Sequence, residues 1–597
     1  MDHDDRVWWL QARPVTAAAE PPDYIIQRSN DAVDDGPITV WSNWNVRETM
    51  PQPLFPFTWS FWRDKLQPVV VGHLAGVSQK SRLLPFLYPL DVVHGRIYFN
   101  LNGMLSAPVI GALSQQLIST VDSRAGDTLK YLKKIGVLRG RKLPGSSFFI
   151  FFSILKAGII SFFKMLRHLD PEKSMKILAD DCWAIARRTP LHLLSDAELR
   201  EEFDLWASPE CKRILYGLQM ELVAMVIYEM AKKAFKKHPQ ALDLLCTGIP
   251  ANPTTKISLT IDALTEAAEP FKDLFLEPLP TGELLQRLQK EQHGPGWLDD
   301  FNTFLEENGH RGPMEFDLGS TRWSDDPTMI IEIIRSGLKL PQREKLSERM
   351  ARLSARREQA LQEAIAASPR WKRPIMRRLA RAAARFMPLR EAPKHYAVIV
   401  FQRIRHAALE LGVRLAKKGL LPEAGDVFFL EIAELNELIE GKDAAHIPDK
   451  LRERKQMFSR YKKETPPGFF RSDGVPVIEA LDFSTPLEEG LLRGSAISGG
   501  TAEGPICVLT EPDPKLVQQG DVLVMEYADP GWTPLFPRAA GIVMEVGGLM
   551  CHAAVVAREL GIPAVFGVSD ATAILQKGQR VEVNGTKGIV RITQEAG

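Results

Sequence analysis

The segment around His552 constrains the fold of this chain more than any other part of the sequence. Residues 541–546 are apolar and predict a buried strand, and the alanine-rich residues after His552 predict a helix that ends near Gly561 and Pro563. The order strand, turn, helix is typical of an α/β domain. Because free backbone N–H groups and the positive end of the helix dipole meet at a helix N-terminus, a phosphate carried on the His552 imidazole would be stabilised there.

Two glycines, Gly547 and Gly548, stand in the turn before this helix. They let the backbone approach an anion closely, which a side chain would obstruct. Arg558, further along the helix, is either a charge partner for a phosphate or a surface arginine without such a role. His552 itself keeps two interpretations, because the spacing alone fits a phosphoryl carrier and a plain helix cap equally well.

A longer stretch of the C-terminal sequence resembles the phosphohistidine (swivelling) domain of the phosphoenolpyruvate-utilising enzymes. The similarity runs from Gly494 to about Ile592 and includes the sequence Asp-Pro-Gly-Trp-Thr-Pro-Leu-Phe at 529–536. In this resemblance His552 matches the histidine that carries the phosphoryl group. Met550 stands where many members have threonine, which removes a hydroxyl that could hydrogen-bond the imidazole or its phosphate. The Gly-Gly-Leu-Met sequence before the histidine is most similar to the rifampin phosphotransferases.

The N-terminal sequence resembles the last strand of an ATP-grasp nucleotide-binding domain. Residues 6–16 predict a short buried strand and a turn, and Gln11 and Arg13 match family positions that face the nucleotide phosphates. The remainder of such a domain would precede Met1, so we expect a protein without its nucleotide-binding domain or an incomplete copy of a longer one. ATP and Mg²⁺ are expected to bind through that missing domain, in cis or in trans, and no metal site is expected in this chain.

The sequence patterns predict a multidomain protein with a mainly α-helical middle domain and a C-terminal α/β swivelling domain. The predicted segments are an ATP-grasp remnant at 1–21, a helical acceptor-binding domain at 22–483, a linker at 484–499 and the phosphohistidine domain at 500–597. A proline and several glycines make the linker a suitable hinge for a swivelling carrier. Apolar residues at helical spacing predict long helices in the middle domain, at 211–235, 330–338, 343–367 and 396–418.

Two polar blocks of the middle domain resemble segments of rifampin phosphotransferase-like and pyruvate, water dikinase-like enzymes. The first covers residues 41–54, and the second begins at residue 308. In the second block glycines surround His310 and Arg311, and Glu315 follows on a stretch whose alternation predicts extended structure. Arg311 could clamp a phosphoryl group, and Glu315 or His310 could deprotonate an acceptor hydroxyl. A structural salt-bridge cluster would leave the same signature.

Charge and cysteine content narrow the classes of partner. The 75 basic and 74 acidic residues give a formal net charge of +1, so no long-range field favours nucleic acid or an anionic membrane. One local exception is the basic run 370–390, which predicts a solvated helix face or, as the alternative, an anion- or domain-docking surface. Five scattered cysteines and an acidic N-terminus without a secretory signal indicate a reducing, cytoplasmic location.

The most apolar stretch of the chain, residues 148–163, is a weak membrane candidate. It is shorter than the ~20 apolar residues that a membrane span requires, and Lys156 lies in its middle. A buried or groove-lining helix is therefore favoured. If it lines a groove, its aromatic side chains suit a bulky apolar acceptor better than a small anion.

The order of the predicted domains distinguishes phosphoenolpyruvate synthase from the rifampin phosphotransferase-like members of the family. Phosphoenolpyruvate synthase follows its phosphohistidine domain with a (β/α)8 barrel, whereas this sequence stops after that domain. The resemblance thus implies a rifampin phosphotransferase-like dikinase, in which ATP phosphorylates His552, with release of AMP and phosphate, before transfer to a hydroxyl acceptor. Two alternatives stay open: a pyruvate, water dikinase-like protein, and a non-catalytic protein that binds a small molecule.

Overall fold

A computed structural model describes a large part of the chain. The described residues are 39–43, 46–75, 90–104, 129–130, 132–134, 170–249, 252–340, 345–387, 391–442, 445–464, 466–471, 490–549 and 551–594. Three predictions fall outside them. The ATP-grasp remnant with Gln11 and Arg13, the apolar stretch 148–163, and Met550 lie beyond the described residues.

Helices dominate the described chain up to residue 464. The first group lies before residue 270: α1 Pro56–Phe61, α2 Gln67–Ala75, α3 Leu101–Met104, α4 Pro171–Ala186, α5 Asp196–Glu201, α6 Pro209–Phe235, α7 Pro239–Asp243 and α8 Pro253–Ala267. The second group follows it: α9 Lys272–Leu276, α10 Thr281–Leu288, α11 Gly294–Asn308, α12 Thr328–Leu338, α13 Leu346–Ala367, α14 Arg373–Phe386, α15 Ala392–Lys417, α16 Ile432–Ile439 and α17 Ile447–Lys463.

Short helical turns connect several of these helices. A π-helical turn at Trp62–Leu66 joins α1 to α2. The 3₁₀ turns of this region are Leu191–Leu193, Glu202–Ala207, Glu269–Phe271 and Ala424–Phe429. None of the helices in the described part of the chain is both long enough and apolar enough to cross a membrane.

The predicted long helices α6, α12, α13 and α15 are confirmed, with boundaries a few residues from those expected. Local chemistry sets these ends. The Ser208 hydroxyl accepts a hydrogen bond from the Cys211 backbone N–H and caps α6, and Pro209 fills the first helical position, where no N–H is needed. α15 likewise begins with a proline in its first turn, at Pro393.

A small antiparallel sheet lies beside the helices and brings distant parts of the chain together. Its strands are β1 Val40–Ser42, β2 Leu90–Val93, β3 Arg96–Asn100 and β4 Phe469–Arg471. They pair in the order β2-β3-β1-β4. Because β1 pairs with β4, the first polar block is anchored to the end of the helical region.

The C-terminal region forms a mixed eight-stranded sheet with two short helices. The strands are β5 Leu491–Arg493, β6 Ser495–Ser498, β7 Thr501–Leu509, β8 Val522–Met525, β9 Gly541–Met544, β10 Ala564–Phe566, β11 Arg580–Asn584 and β12 Ile589–Gln594. The helices are α18 His552–Glu559 and α19 Ala571–Ile574, and a 3₁₀ segment spans Pro530–Arg538. The strand order is β5-β12-β11-β7-β8-β9-β10-β6, with β7, β8, β9 and β10 parallel.

The sheet takes in part of the segment that the sequence predicts as a linker. Residues 490–499 are described, and β5 and β6 within them pair with β12 and β10. Pairing with the sheet satisfies backbone groups that a free linker would leave to solvent. β5 and β6 therefore belong to the C-terminal sheet and not to a free linker.

One apolar core joins the helices to the C-terminal sheet. It contains Ile257, Phe301 and Ile330 from the helical region together with Leu523 and Val556 from the C-terminal domain. Contacts of this kind exclude water over a continuous surface and stabilise the association of the two regions. The C-terminal domain is thus docked on the helical region, and this docking decides what His552 faces.

Polar contacts fix the docked orientation. The Glu559 carboxylate, at the end of α18, accepts hydrogen bonds of 3.0 and 3.1 Å from the Asn252 side chain and another from the Thr255 hydroxyl. The backbone N–H of Gly248 donates to the Glu559 carbonyl at 2.9 Å. Glu559 is buried, so the loss of one of these donors would leave a costly buried charge.

Candidate functional site

The turn between β9 and α18 has the backbone that the sequence requires. Gly547 adopts a φ of +129°, and a Cβ atom there would lie 3.2 Å from the Cys551 Sγ. The Gly548 carbonyl accepts a hydrogen bond from the Cys551 N–H. Cys551 then caps α18, because its Sγ accepts from the Ala554 N–H. His552 is consequently the first residue of the helix, as predicted.

Both ring nitrogens of His552 have defined partners. The Nδ1 atom lies 2.7 Å from the Glu391 carboxylate, and the Nε2 atom lies 2.8 Å from the Thr533 hydroxyl. A carboxylate only accepts, so Nδ1 carries the proton, and the Thr533 O–H donates to the lone pair on Nε2. The imidazole is buried. Its nucleophilic atom is therefore Nε2, held by a carboxylate from the helical region.

Thr533 supplies the hydroxyl that hydrogen-bonds to Nε2 of the His552 imidazole. It lies on the Pro530–Arg538 segment, inside the motif at 529–536. The segment begins at Asp529, whose Oδ1 accepts from the Gly531 N–H at 2.8 Å and whose Oδ2 accepts from the Met314 N–H at 2.9 Å. Thus a hydroxyl does reach His552, although it comes from Thr533 rather than from the residue two before the histidine.

A carboxylate occupies the start of α18. The backbone N–H of His552 donates to Glu48 Oε1 at 2.6 Å, and Glu48 comes from the first polar block. The helix dipole and the free backbone N–H groups favour a carboxylate at a helix N-terminus, as they favour a phosphate. Glu48 and a phosphoryl group on His552 would therefore compete for the same electrostatic environment.

A cavity of 230 Å³ opens beside His552. The C-terminal domain contributes Pro530, Cys551 and His552 to its wall. The helical region and small sheet contribute two kinds of surface. The apolar lining residues are Val46, Met50, Trp62, Leu90, Phe99 and Phe316. The polar lining residues are Glu48, Thr49, Thr254, Arg311, Glu315, Glu391, Lys394 and His395. A cavity in which apolar side chains and convergent polar groups meet is typical of a small-molecule site.

Arg311 and Glu315 form a buried pair in the cavity wall. Arg311 Nε lies 2.6 Å from Glu315 Oε2, and an Arg311 terminal nitrogen lies 2.5 Å from His395 Nδ1. Burial raises the pKa of Glu315, and the charges of Arg311 and Arg322 oppose that rise. Burial, followed by the Arg311 charge, holds the pKa of His395 well below its usual value. His395 is therefore neutral and can accept from Arg311.

Glu315 does not lie on extended structure, contrary to the sequence prediction. Residues 313–320 form successive turns, and Met314 has a φ of +54°. The buried Arg322 explains the turn, since its guanidinium donates to the carbonyls of Glu315 and Asp317 at 2.8 and 2.9 Å. The turns bring the two carbonyls together around the Arg322 guanidinium. The alternating sequence pattern does not reveal this interaction.

His310 lies behind the cavity rather than in its wall. Its ring packs edge-on against Trp183 and His395, with centroids 5.9 and 5.0 Å away. Within the described residues neither ring nitrogen has a hydrogen-bond partner. Burial and the nearby Arg311 charge hold the pKa of His310 well below its usual value. The structure thus brings Arg311 and Glu315 to the site, and His310 to the layer that supports them.

Arg558 points away from the cavity. Its Nε donates to the Ile497 carbonyl at 2.8 Å, and its guanidinium lies 6.0 Å from the Tyr228 ring centroid. The side chain is buried and is absent from the cavity wall. In this docked arrangement Arg558 joins α18 to β6 and α6, and it does not contact His552.

Several residues that line the cavity or contact the His552 ring were not singled out from the sequence. They are Glu48, Glu391, Lys394, His395 and Thr533. Glu48 and Thr533 lie inside blocks that the sequence did mark, and Glu391 is the first acidic residue after the basic run. These residues meet through contacts between positions that are far apart in the sequence, which a sequence pattern does not reveal. For Glu391 the one available sequence signal was its place directly after the basic run.

No group of three or more histidine, cysteine or carboxylate side chains with metal-binding geometry occurs within the described residues. The Arg311 and Lys394 side chains bring positive charge to the cavity wall.

Comparisons with known proteins match the two regions that form this site. Residues 214–391 match the family model described as rifampicin phosphotransferase fourth domain, and residues 517–588 match the PEP-utilising enzyme, mobile domain. The resemblance to the phosphoenolpyruvate-utilising enzymes is thereby confirmed. His552 lies in the second match, and Glu391 is the last residue of the first.

Among individual proteins, the chain is similar to rifampicin phosphotransferases. It is 31% identical to that of Streptomyces sviceus over 360 residues, 59% of this chain and 41% of the relative. It is 30% identical to that of Bacillus subtilis over 359 residues, with the same shares. The prodigiosin synthesizing transferase PigC of Serratia marcescens is 28% identical over 348 residues, 57% of this chain and 39% of the relative. The chain thus spans about four tenths of the length of these curated relatives.

A solved structure of Enzyme I also aligns with the chain. It covers 57% of this chain and 79% of its own, at 13% identity and a TM-score of 0.15. A similarity of that size carries no argument about the fold.

Proposed function

We propose that this chain is the acceptor-binding and phosphoryl-carrying part of a dikinase-type phosphotransferase. His552 would accept a phosphoryl group from ATP and pass it to a hydroxyl on an apolar small-molecule acceptor. The observation that carries the proposal is that His552, with Glu391 on Nδ1 and Thr533 on Nε2, lines a chamber built largely by the helical region. The names of the rifampicin phosphotransferases support the same class of reaction.

The nucleotide half of the reaction would need an ATP-grasp domain, in cis or in trans. ATP and Mg²⁺ would act there, and Gln11 and Arg13 remain predicted contacts of the nucleotide phosphates. The metal would neutralise the transferring phosphate during the first step. In this proposal the C-terminal domain, including β5 and β6, swivels between the ATP-grasp domain and the docked position, with residues 22–483 holding the acceptor.

The transfer step follows from the contacts of His552. The P–N bond to Nε2 breaks, and its electron pair returns to that nitrogen. The acceptor oxygen forms the new P–O bond and gives up its proton. Glu391 keeps the proton on Nδ1, so that Nε2 is the atom that carries and releases the phosphoryl group.

Other cavity residues take roles that their chemistry allows. Arg311 and Lys394 would bind the oxygens of the phosphoryl group as it transfers. Glu315 is the candidate base for the acceptor proton, because it lines the cavity and its burial raises its pKa. His310 is set aside for that role because it does not reach the cavity.

The lining of the cavity indicates the acceptor class. Aromatic and aliphatic side chains such as Trp62, Phe99 and Phe316 suit a flat or bulky apolar molecule with one reactive hydroxyl. Rifampicin, the substrate in the names of several relatives, is a rational first probe. PigC is named a prodigiosin synthesizing transferase, so the probe set should include aromatic alcohols other than rifampicin.

The test uses a donor that needs no nucleotide domain. The purified chain is incubated with phosphoramidate, and phosphohistidine is followed by ³¹P NMR and by acid lability, with His552→Ala as the control. Rifampicin or another aromatic alcohol is then added and its phosphorylated product sought by mass spectrometry. We expect a signal that depends on His552 and that disappears as product forms.

Two other outcomes would select the alternatives. Acceptor binding that is unchanged in His552→Ala, with no product from either phosphoramidate or ATP plus an ATP-grasp partner, would indicate a non-catalytic binding protein. AMP release that depends on pyruvate would indicate a pyruvate, water dikinase-like activity. Absence of phosphate on His552 under every condition would overturn the proposal.

A further inference from the structure

The connection between α13 and α14 carries an exposed basic tip, which we define as residues 370–381. No acidic residue occurs in the sequence between Glu363 and Glu391. The basic side chains of the tip are Arg370, Lys372, Arg373, Arg377, Arg378 and Arg381. The whole-chain charge of +1 hides this concentration, because acidic residues elsewhere balance it.

Large apolar side chains stand at the centre of the basic tip. Trp371 is 71% exposed and Ile375 is 51% exposed, and Pro374 between them is exposed as well. The opposite side of α14 is packed, since Met376 and Ala380 belong to a core shared with α6. Trp371 and Ile375 thus lie on the side that faces away from the core. They form a separate apolar surface.

Much of the positive charge at the basic tip is not neutralised. Within the described part of the chain, Arg377, Arg378 and Arg381 make no hydrogen bond or ion pair, in contrast to Arg385, which pairs with Asp170 and Glu172. Arg373 donates only to backbone carbonyls. The charges of the tip are therefore available to an external anion.

We propose that the basic tip docks on the surface of an anionic lipid bilayer. Tryptophan partitions to the headgroup level, and arginines beside it attract anionic lipids. The pairing of exposed Trp371 and Ile375 with free arginines matches that interface. A purely polyanionic partner would satisfy the arginines and leave both apolar side chains in water. The contact is peripheral and is independent of the proposed phosphoryl transfer.

Vesicle binding tests this directly. The full chain is mixed with vesicles of phosphatidylcholine alone or with phosphatidylglycerol, and bound protein is separated by flotation. We expect binding only to the anionic vesicles. Replacing Arg377, Arg378 and Arg381 by glutamine should weaken it by roughly two orders of magnitude at low salt. Trp371→Ala should weaken it without any change in charge.

A matched triple variant controls for net charge. Lys290, Lys577 and Lys587 are exposed lysines on other surfaces, and their replacement by glutamine removes the same charge. This variant should bind the vesicles like the unaltered chain, and circular dichroism checks that each variant is folded. Equal loss in both triple variants, or no loss in either, would overturn the proposal. So would stronger retention on heparin than on vesicles together with no effect of Trp371→Ala, which would indicate a polyanion partner.

Discussion

At the scale of single residues, the site depends on what surrounds one imidazole. Glu391 fixes the proton on Nδ1, Thr533 donates to Nε2, and Glu48 accepts from the backbone of the same histidine. Each contact comes from a different part of the chain. These contacts leave the lone pair on Nε2 and the proton on Nδ1. A sequence motif that contains one histidine cannot distinguish the two nitrogens.

Thr533 is expected to stabilise the departure of Nε2 during transfer. As the P–N bond breaks, the electron pair that returns to Nε2 can accept a hydrogen bond from the Thr533 hydroxyl. Loss of one hydrogen bond costs about 1 kcal/mol, so Thr533→Val should slow transfer about fivefold. Single-turnover decay of the phosphorylated protein with acceptor measures this rate. Thr533→Ser should restore it, and a rate equally low in the serine variant would contradict the assignment.

Glu48 is expected to oppose the phosphorylated state. Its carboxylate lies at the helix N-terminus, where it would repel a phosphate on the neighbouring imidazole. Glu48→Gln keeps an oxygen that can accept from the His552 N–H but removes the charge. The fraction of phosphohistidine at a fixed phosphoramidate concentration should rise by roughly fivefold or more, for a charge pair partly shielded from water. Glu503→Gln, on β7, provides a control, and an equal rise there would argue against this role.

At the scale of elements, the 3₁₀ segment at 530–538 and the turns at 313–320 meet through Asp529. Its carboxylate accepts from one backbone N–H on each side. Burial raises its pKa from 3.8 to about 7, against the opposing effect of the Met314 hydrogen bond. The junction between these elements is therefore sensitive to pH near neutrality.

The sign of this pH dependence follows from linkage. Because the folded pKa of Asp529 lies above the unfolded value, the native state binds the proton more tightly, and the associated stability is present at low pH. It should be lost as pH rises from about 4 to about 7, and the loss amounts to a few kcal/mol at most. Denaturant unfolding measured across that range would show the decline. Asp529→Asn should be less stable overall, with a flatter pH profile; an unchanged slope would contradict the assignment.

At the scale of the whole molecule, the contacts of His552 with Glu391 and Glu48 exist only while the C-terminal domain is docked. A shared apolar core and the Glu559 contacts hold it in place. In the proposed function His552 also visits a nucleotide site and must then leave this position, so the docked state cannot be too stable. Polar contacts such as those of Glu559 allow the stability of the docked state to be adjusted without a change in the apolar core.

Asn252→Ala is expected to loosen the docked state. The buried Glu559 carboxylate loses a donor, at a cost of about 1–3 kcal/mol, so exposure of His552 should increase roughly tenfold. The initial rate of phosphorylation by phosphoramidate reports that exposure. Thr260→Ala on α8 should leave the rate unchanged, because within the described residues the exposed Thr260 hydroxyl bonds only to the Lys256 carbonyl. A slower rate in Asn252→Ala would show that the contact does not hold the domain closed.

Sequence by itself determined the local features. Apolar spacing placed the long helices, glycines and a histidine placed the β9–α18 turn, and the motif at 529–536 marked the segment that holds Thr533. These follow from interactions between near neighbours along the chain. The tertiary structure decided which residues meet: Glu391 and Glu48 lie 161 and 504 positions from His552, and Arg322 rather than local alternation shaped the chain around Glu315. Long-range packing and buried charge select such contacts, and no periodicity in the sequence records them.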